Sequence, residues 1–350
     1  MEVVVDITHP AGVNFFKNAV QRLKREENAD VSFIVQPRGK LIPILEKECP
    51  GVPFVVFGKH RRTLSGKGFG LLNRCWQLLF YLRKRDFDVL TNLDDLGLSY
   101  VSRLLRKPLV TFEDDIDNLF GFRRYRHLPT RVVLPDHLPV KGKNIYKYRG
   151  FKELAYLHPN YFKPQKESLK RFGLENSDFV FIREVSSGST NYKHLVMGQL
   201  SKICPYLKAL GFEIVLSLEE KSLREQFEKD CIILEEPVED IFSLLHFATL
   251  TIASGDTMAR ESCLLGTPAI HTGGREMAIN KELERKGCFF RAVGERRILE
   301  AIRKIIENDI KKQTTDAINY AIQHEWEDTT KVIVNNLLEV ANQVSREPGS

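Results

Sequence analysis

An α/β protein of two doubly wound domains is what this sequence predicts, and three observations carry the expectation. Apolar, strand-like runs alternate with stretches of helical period along most of the chain. The alternation breaks once, over a tyrosine-rich stretch at 144–164, and then restarts. The 350 residues suffice for two domains of ordinary size, each with its own core. Continuous apolar strands separated by helices imply parallel sheets covered on both faces.

In chain order, the first half offers the strands VVVDI (3–7), VSFIVQ (31–36), FVVF (54–57), FDVLTN (87–92), PLVTFE (108–113) and RVVLP (131–135). Between most of them the period is helical, as in VNFFKNAVQRLKR, where Phe16, Val20 and Leu23 recur at helix spacing. NIYKYRGFKELAYLHPNYFKP (144–164) has no clear period and carries prolines at its end, so it reads as a linker. The strands FVFIRE (179–184), EIVLSL (213–218), CIILEE (231–236), LTIAS (250–254), PAIHT (268–272) and CFFRAV (288–293) follow, again alternating with helices. A last helix around 315–343 is expected to return to the first domain. The boundaries read as 1–150, 151–325 and a terminal helical segment 326–350. Two such halves make a cleft, with ligands beyond the carboxyl ends of the strands.

Composition narrows the partners. An apolar fraction of 43% and a charged fraction of 28% are those of a soluble globular chain. MEVVVDI reads as a strand and lacks the features of a signal peptide. The most apolar helical run, 68–82, is interrupted by Asn73 and Arg74 and is too short to span a bilayer, so a cytoplasmic protein is expected. The cysteines at 49, 75, 204, 231, 263 and 288 show no metal-ligand spacing and read as reduced thiols. A formal charge of +6 suits an anionic ligand or an anionic membrane surface. No zinc-finger spacing or RNP-like aromatic signature points to nucleic acid.

The polar clusters fall at strand ends. SGDTMARESCLLGTPAI (254–270) enters a short helix, expected over 257–265, that stops at Gly266 before Pro268 opens the next strand. Helix-start N–H groups lack intrahelical partners and carry the positive end of the dipole, so phosphate is a natural ligand. The plainer alternative makes Asp256 an ordinary N-cap, with Ser254 and Thr257 shaping the turn.

The longer segment EPVEDIFSLLHFATLTIASGDTMARESCLLGTPAI (236–270) resembles the nucleotide-binding half of GT-B glycosyltransferases. The peptidoglycan N-acetylglucosaminyltransferases are most similar, with the UDP-N-acetylglucosamine 2-epimerases nearby. The resemblance implies a GT-B fold of two Rossmann-like domains facing a central cleft. It puts Glu261 on the nucleotide ribose and Ser254, Gly255, Asp256 and Thr257 around the diphosphate. The base would be read through backbone near Val238–Ile241, and Arg260 either pairs with a neighbour or reaches the phosphate. The stretches DITHPAGVNFFKN, TFEDD, YRGFKELAYL and GDTMARESCLLGTPAI also resemble a prokaryotic family known as domain of unknown function 354, itself near the GT-B group.

Three further clusters supply chemistry. In DITHPAGVNFF (6–16), His9 is either a general base of near-neutral pKa or a loop-ordering helix cap. TNLDDLG (91–97) and TFEDDIDN (111–118) crowd Asp94, Asp95, Glu113, Asp114, Asp115 and Asp117 at two strand ends. Their mutual repulsion raises at least one pKa toward a useful range, and Glu113 with Asp114 is the expected pair; the alternative is caps and solvated turns. By resemblance, the epimerases also place catalytic acids after the corresponding strands. In FIREVSSGSTNYKH (181–194), Arg183, Ser186, Ser187, Gly188 and Ser189 are expected to face the diphosphate, unless the serines form only a flexible loop.

Finally, residues 58–85 contain no acid, and their cations flank Phe69, Trp76 and Phe80. Such a helix either lies on anionic lipid or packs on the sheet after a basic loop. Together these readings predict a metal-independent glycosyltransferase, needing no cofactor. It would move a sugar from a nucleoside diphosphate, UDP by resemblance, to a glycan or lipid-linked acceptor. The rival readings are a nucleotide-sugar 2-epimerase and a non-catalytic nucleotide-sugar-binding protein of polysaccharide assembly.

Overall fold

The computed structural model describes residues 1–58, 64–116, 122–186, 197–235 and 238–346. Its chain divides into two units, Met1–Tyr161 with Trp326–Ser350, and Phe162–Glu325. The apolar runs of the first unit become β1 (Glu2–Ile7), β2 (Asp30–Val35), β3 (Phe54–Val56), β4 (Val89–Leu93), β5 (Leu109–Phe112) and β6 (Arg131–Pro135). A further strand, β7 (Ile145–Tyr148), lies inside the stretch read as a linker. It is an edge strand whose sequence, IYKY, buries only Tyr148, so it shows no continuous apolar run. All pair in parallel, in the order β3-β2-β1-β4-β5-β6-β7.

The helices of this unit are α1 (Pro10–Glu26), α2 (Leu41–Glu48), α3 (Leu64–Leu82), α4 (Leu96–Leu105), α5 (Phe122–Tyr125) and α6 (Leu154–Leu157). Pro10 stands where a helix needs no N–H, and Lys24 and Arg25 meet the negative end of the α1 dipole. Val13, Phe16, Val20 and Leu23 are buried at helical spacing, and Phe15 and Phe16 meet Phe112 edge to face.

In the second unit β8 (Phe179–Glu184), β9 (Glu213–Leu218), β10 (Ile232–Ile233), β11 (Leu250–Ala253), β12 (Ala269–His271) and β13 (Phe289–Arg291) form a second parallel sheet, ordered β10-β9-β8-β11-β12-β13. Helices α7 (Cys204–Ala209), α8 (Ile241–Phe247), α9 (Asp256–Leu264), α10 (Lys281–Arg285), α11 (Glu295–Glu307) and α12 (Ile310–His324) accompany it. Where one terminal helix is expected, the structure has two, α12 and α13 (Thr329–Arg346). Asp328 separates them: its carboxylate accepts the Lys331 N–H at 3.2 Å, an N-terminal capping bond that starts a new helix. Thr329 and Thr330 donate to the carbonyls of Phe151 and Ala155, both at 2.8 Å, which fastens α13 to the first unit.

Each sheet reverses its strand order once, between β1 and β4 and between β8 and β11. Loops diverge at such points and leave room for a ligand at the carboxyl edge. No described helix is long and apolar enough to cross a membrane. The six cysteines are free thiols, four of them buried.

Candidate functional site

In the first unit the carboxyl edge of the sheet concentrates acids. Glu113 follows β5 and is 3% exposed. Its Oε1 accepts the backbone N–H groups of Asp114 and Asp115 at 2.9 and 2.8 Å, and its Oε2 accepts the Tyr125 hydroxyl at 2.6 Å. The same hydroxyl lies 2.9 Å from Oδ1 of Asp94, which follows β4 and holds a left-handed φ of 55°. The Tyr125 hydroxyl thus stands between the two carboxyl groups. Burial raises the pKa of Glu113 well above the carboxylate range, and the charges of Asp94 and Asp114 push it the same way. Burial raises Asp94 too, opposed by its bond to Tyr125. Both shifts run in the same direction, so burial and like charge favour the protonated form of this pair.

The acid joined to Glu113, through the Tyr125 hydroxyl, is thus Asp94, whereas Asp114 turns to Lys152, whose Nζ is 2.8 Å from its Oδ1. Asp95 caps α4 by accepting the Leu98 N–H and pairs with Arg74 at 3.0 Å. Arg74, 1% exposed, also reaches Asp6 at the end of β1, at 2.5 Å. Burial, with the Asp95 charge, pushes Asp6 up to about 7 against the pull of Arg74. His9 is exposed and caps α1, its Nδ1 accepting the Ala11 N–H at 3.2 Å.

The second unit gathers its polar groups at the ends of β8, β11 and β12. Gly255, not Asp256, is the N-cap of α9, and it offers no side chain to the first helical N–H groups. Asp256 stands one residue inside, where its charge favours the positive helix end and an arginine at i+4 can meet it. Arg260 is that arginine. Only 1% exposed, it lies 3.4 Å from Asp256 Oδ2 and donates to Asn280 Oδ1 at 3.1 Å. Thr257 and Glu261, also four residues apart, share a different stripe of the helix, and Glu261 is 8% exposed. A short helix therefore carries Arg260 and Glu261 side by side in sequence while separating their faces.

Ser254 ties the sheet. Its hydroxyl accepts the Val185 N–H at 2.8 Å and donates to the Arg183 carbonyl at 3.1 Å. The Arg183 guanidinium donates to Ser217 Oγ at 2.6 Å and pairs with Glu219, which also accepts the Ser186 N–H at 3.0 Å. Ser187, Gly188, Ser189 and Asp117 lie outside the described residues.

Several residues here are not legible as site residues in the sequence. Gly273 is one: a Cβ on it would stand 2.2 Å from the Ser254 carbonyl oxygen. Only glycine lets the loop after β12 lie against the end of β11, and the Gly273-Gly274 pair directly after a strand is the signal that would have found it. His271 is another. It is 1% exposed with neither ring nitrogen hydrogen-bonded among the described residues, and burial pushes its pKa down to about 4. Tyr125 carries no signal of its own, because its role depends on α5 folding back toward β4 and β5.

Glu184 ends β8 fully buried, accepting only the Gly198 N–H at 3.1 Å among the described residues, and burial pushes it up to about 7. Since the folded value lies above the ordinary one, the stability it contributes is complete in acid and is lost as pH rises through about 7. Between pH 5 and pH 8 that loss is about 2–3 kcal/mol. Glu184→Gln, which cannot ionise, is expected to flatten the fall in thermal midpoint over this interval; equal slopes for both proteins would show that Glu184 is not the group responsible.

Comparison with known structures places these two sheets. The UDP-GlcNAc 2-epimerase of Neisseria meningitidis, solved bound to UDP-GlcNAc, is 14% identical with a TM-score of 0.68, covering 97% of this chain and 100% of that one. MurG of Acinetobacter baumannii is 15% identical with a TM-score of 0.60, over 97% and 100%. At such identities the likeness is one of fold, and the fold is GT-B-like. The uncharacterized protein MJ0665 of Methanocaldococcus jannaschii is 24% identical over 336 residues, 91% of this chain and 90% of its own length. Residues 1–342 match the model of the family described as protein of unknown function, DUF354, and the chain belongs to that family.

Proposed function

We propose that this protein is a nucleotide-sugar enzyme that works by proton transfer, in the manner of a UDP-N-acetylglucosamine 2-epimerase. The observation that carries the reading is the buried pair Glu113 and Asp94, bridged by the Tyr125 hydroxyl at the carboxyl edge of the first sheet, with both carboxyl pKa values raised. A carboxylate of raised pKa is a competent base near neutrality, and its protonated partner is a competent acid. The base removes the proton from C2 of the sugar; the C2–H electrons form the C1–C2 double bond as the C1–O bond breaks and the nucleoside diphosphate leaves. Return of the diphosphate oxygen to C1, with a proton delivered to the other face of C2, gives the epimer. No acceptor is consumed.

The diphosphate is assigned to the uncapped start of α9, where Gly255, Asp256 and Thr257 present backbone N–H groups. The ring nitrogens of His271, without a hydrogen-bond partner among the described residues, and the close approach enforced by Gly273 support a ligand there. Ser254, Arg183 and Arg260 shape that region, since their side chains already bond within the unit. Glu261 is assigned to the ribose. Glu261→Ala is expected to weaken UDP binding by about 1–3 kcal/mol, read by titration calorimetry; unchanged affinity would remove Glu261 from the site.

The decisive experiment supplies UDP-N-acetylglucosamine alone in deuterated water. Deuterium at C2 and a second epimer, followed by NMR, are expected. An inert sugar whose UDP is released only when an acceptor is added would favour glycosyl transfer instead. His9, exposed just beyond β1, is the base which that second reading would use.

A further inference from the structure

Helix α3 has two apolar faces. Leu78 and Leu82 are fully buried in the first unit's core. On the other face Phe69, Leu72, Trp76 and Phe80 recur at spacings of three and four residues, between 51% and 64% exposed. Tyr100 and Leu104 on the adjoining α4, 49% and 69% exposed, extend the patch. An amphipathic helix of a water-soluble unit needs one apolar stripe, and large exposed patches mark interaction sites. Trp76 and Phe80 stack at 5.7 Å, and an open cavity of about 560 Å³ lies between them, Phe57 and Lys84.

The charges around the patch select its occupant. Both helices end in exposed cations, Arg83 and Lys84 after α3, Arg103 and Arg106 at the end of α4, and none of the four has an ion pair among the described residues. Residues 58–85 contain no acid at all, and the sequence preceding α3 is basic as well. Pairing this face with a second copy of itself would bring basic end against basic end whichever way the two α3 helices ran. An anionic bilayer meets the same cations with opposite charge. It also takes tryptophan and phenylalanine at the headgroup boundary. These cations lie at the amino edge of the first sheet, just before β4 and β5, whereas Glu113 and Asp94 lie at its carboxyl edge. Lipid at the helix ends would leave the acidic edge in water.

We infer that the exposed face of α3 and α4 is a docking surface for anionic lipid, holding the protein peripherally on a membrane through the Phe69–Leu72–Trp76–Phe80 stripe and its basic ends. The test is co-sedimentation of the full chain with vesicles of phosphatidylcholine, with and without phosphatidylglycerol. Binding is expected only with the anionic lipid and should be released at high salt. Lys84→Gln and Arg103→Gln are each expected to lower the partition constant about fivefold. Trp76→Ser with Phe80→Ser should lower it at least about tenfold with the thermal midpoint preserved, because both rings are exposed. In a Trp326→Phe background, the emission of Trp76 should shift to the blue on vesicles. Absence of lipid-dependent binding by the unaltered protein would overturn the inference. So would a concentration-dependent dimer that dissociates on Trp76→Ser, which would make a second copy the occupant.

Discussion

Glu113→Gln is expected to slow deuterium exchange at the sugar C2 by about 100- to 10,000-fold, the range over which a positioned acid–base group contributes. The substitution is close to isosteric. The amide oxygen can still accept the Asp114 and Asp115 N–H groups, and the amide nitrogen can donate to Tyr125, leaving that hydroxyl to donate to Asp94. The fold should therefore survive, and an unchanged thermal midpoint is the control. What disappears is the capacity of residue 113 to take up and release a proton beside Asp94. Because the working form of such a pair carries a single proton, exchange by the unaltered protein should follow a bell-shaped pH profile, its two limbs belonging to the pair. The residual activity of Glu113→Gln should lose that shape. Exchange within threefold of the unaltered protein, with a normal profile, would move the base elsewhere; His9→Gln is then the variant to measure.

The parallel strands were legible because a strand buried on both faces leaves an uninterrupted apolar run, as in VVVDI or FVFIRE. The missed strand, β7, covers an edge, where only alternate positions need burial and Lys147 can be tolerated. The same contrast holds at the site. That acids collect after β4 and β5 follows from the chain itself, because strand ends can be counted. Which acid meets which cannot be counted. Glu113 has a carboxylate neighbour on its C-terminal side, yet its partner is Asp94, nineteen positions earlier, joined through a tyrosine from α5. Around α9 the helical period separates Arg260 from Glu261, but only the packing of Asn280 shows that Arg260 is held within its own unit. Ser254 looks like a phosphate ligand by position, and only the structure shows that its hydroxyl also closes the gap between β8 and β11.

Arg74→Met is expected to destabilise the first unit by about 3–5 kcal/mol, the cost of removing one partner from a buried ionic cluster. Arg74 is the cation between Asp6 and Asp95, and without it two buried carboxyl groups face each other. The effect should depend on pH in a defined direction. Burial pushes Asp6 up to about 7, above its ordinary value, so the stability it contributes is present in acid and lost as pH climbs through 7. Removing Arg74 takes away the influence that lowers this pKa, so the ionised form becomes costlier still, and the variant should fall further behind at pH 8 than at pH 5. Thermal unfolding of both proteins across that interval measures it. Asp6→Asn in the same background should restore much of the difference, since a neutral amide leaves no charge to neutralise. A penalty independent of pH would mean that packing of the long side chain, rather than its charge, is what the unit requires. The consequence reaches the site as well. Arg74 joins α3 to the end of β1 and, through Asp95, to the start of α4, and Asp94 is the residue between that cap and β4. Loosening the cluster frees the strained turn at Asp94, so Arg74→Met should also reduce exchange at C2, and Asp6→Asn should recover stability before it recovers activity.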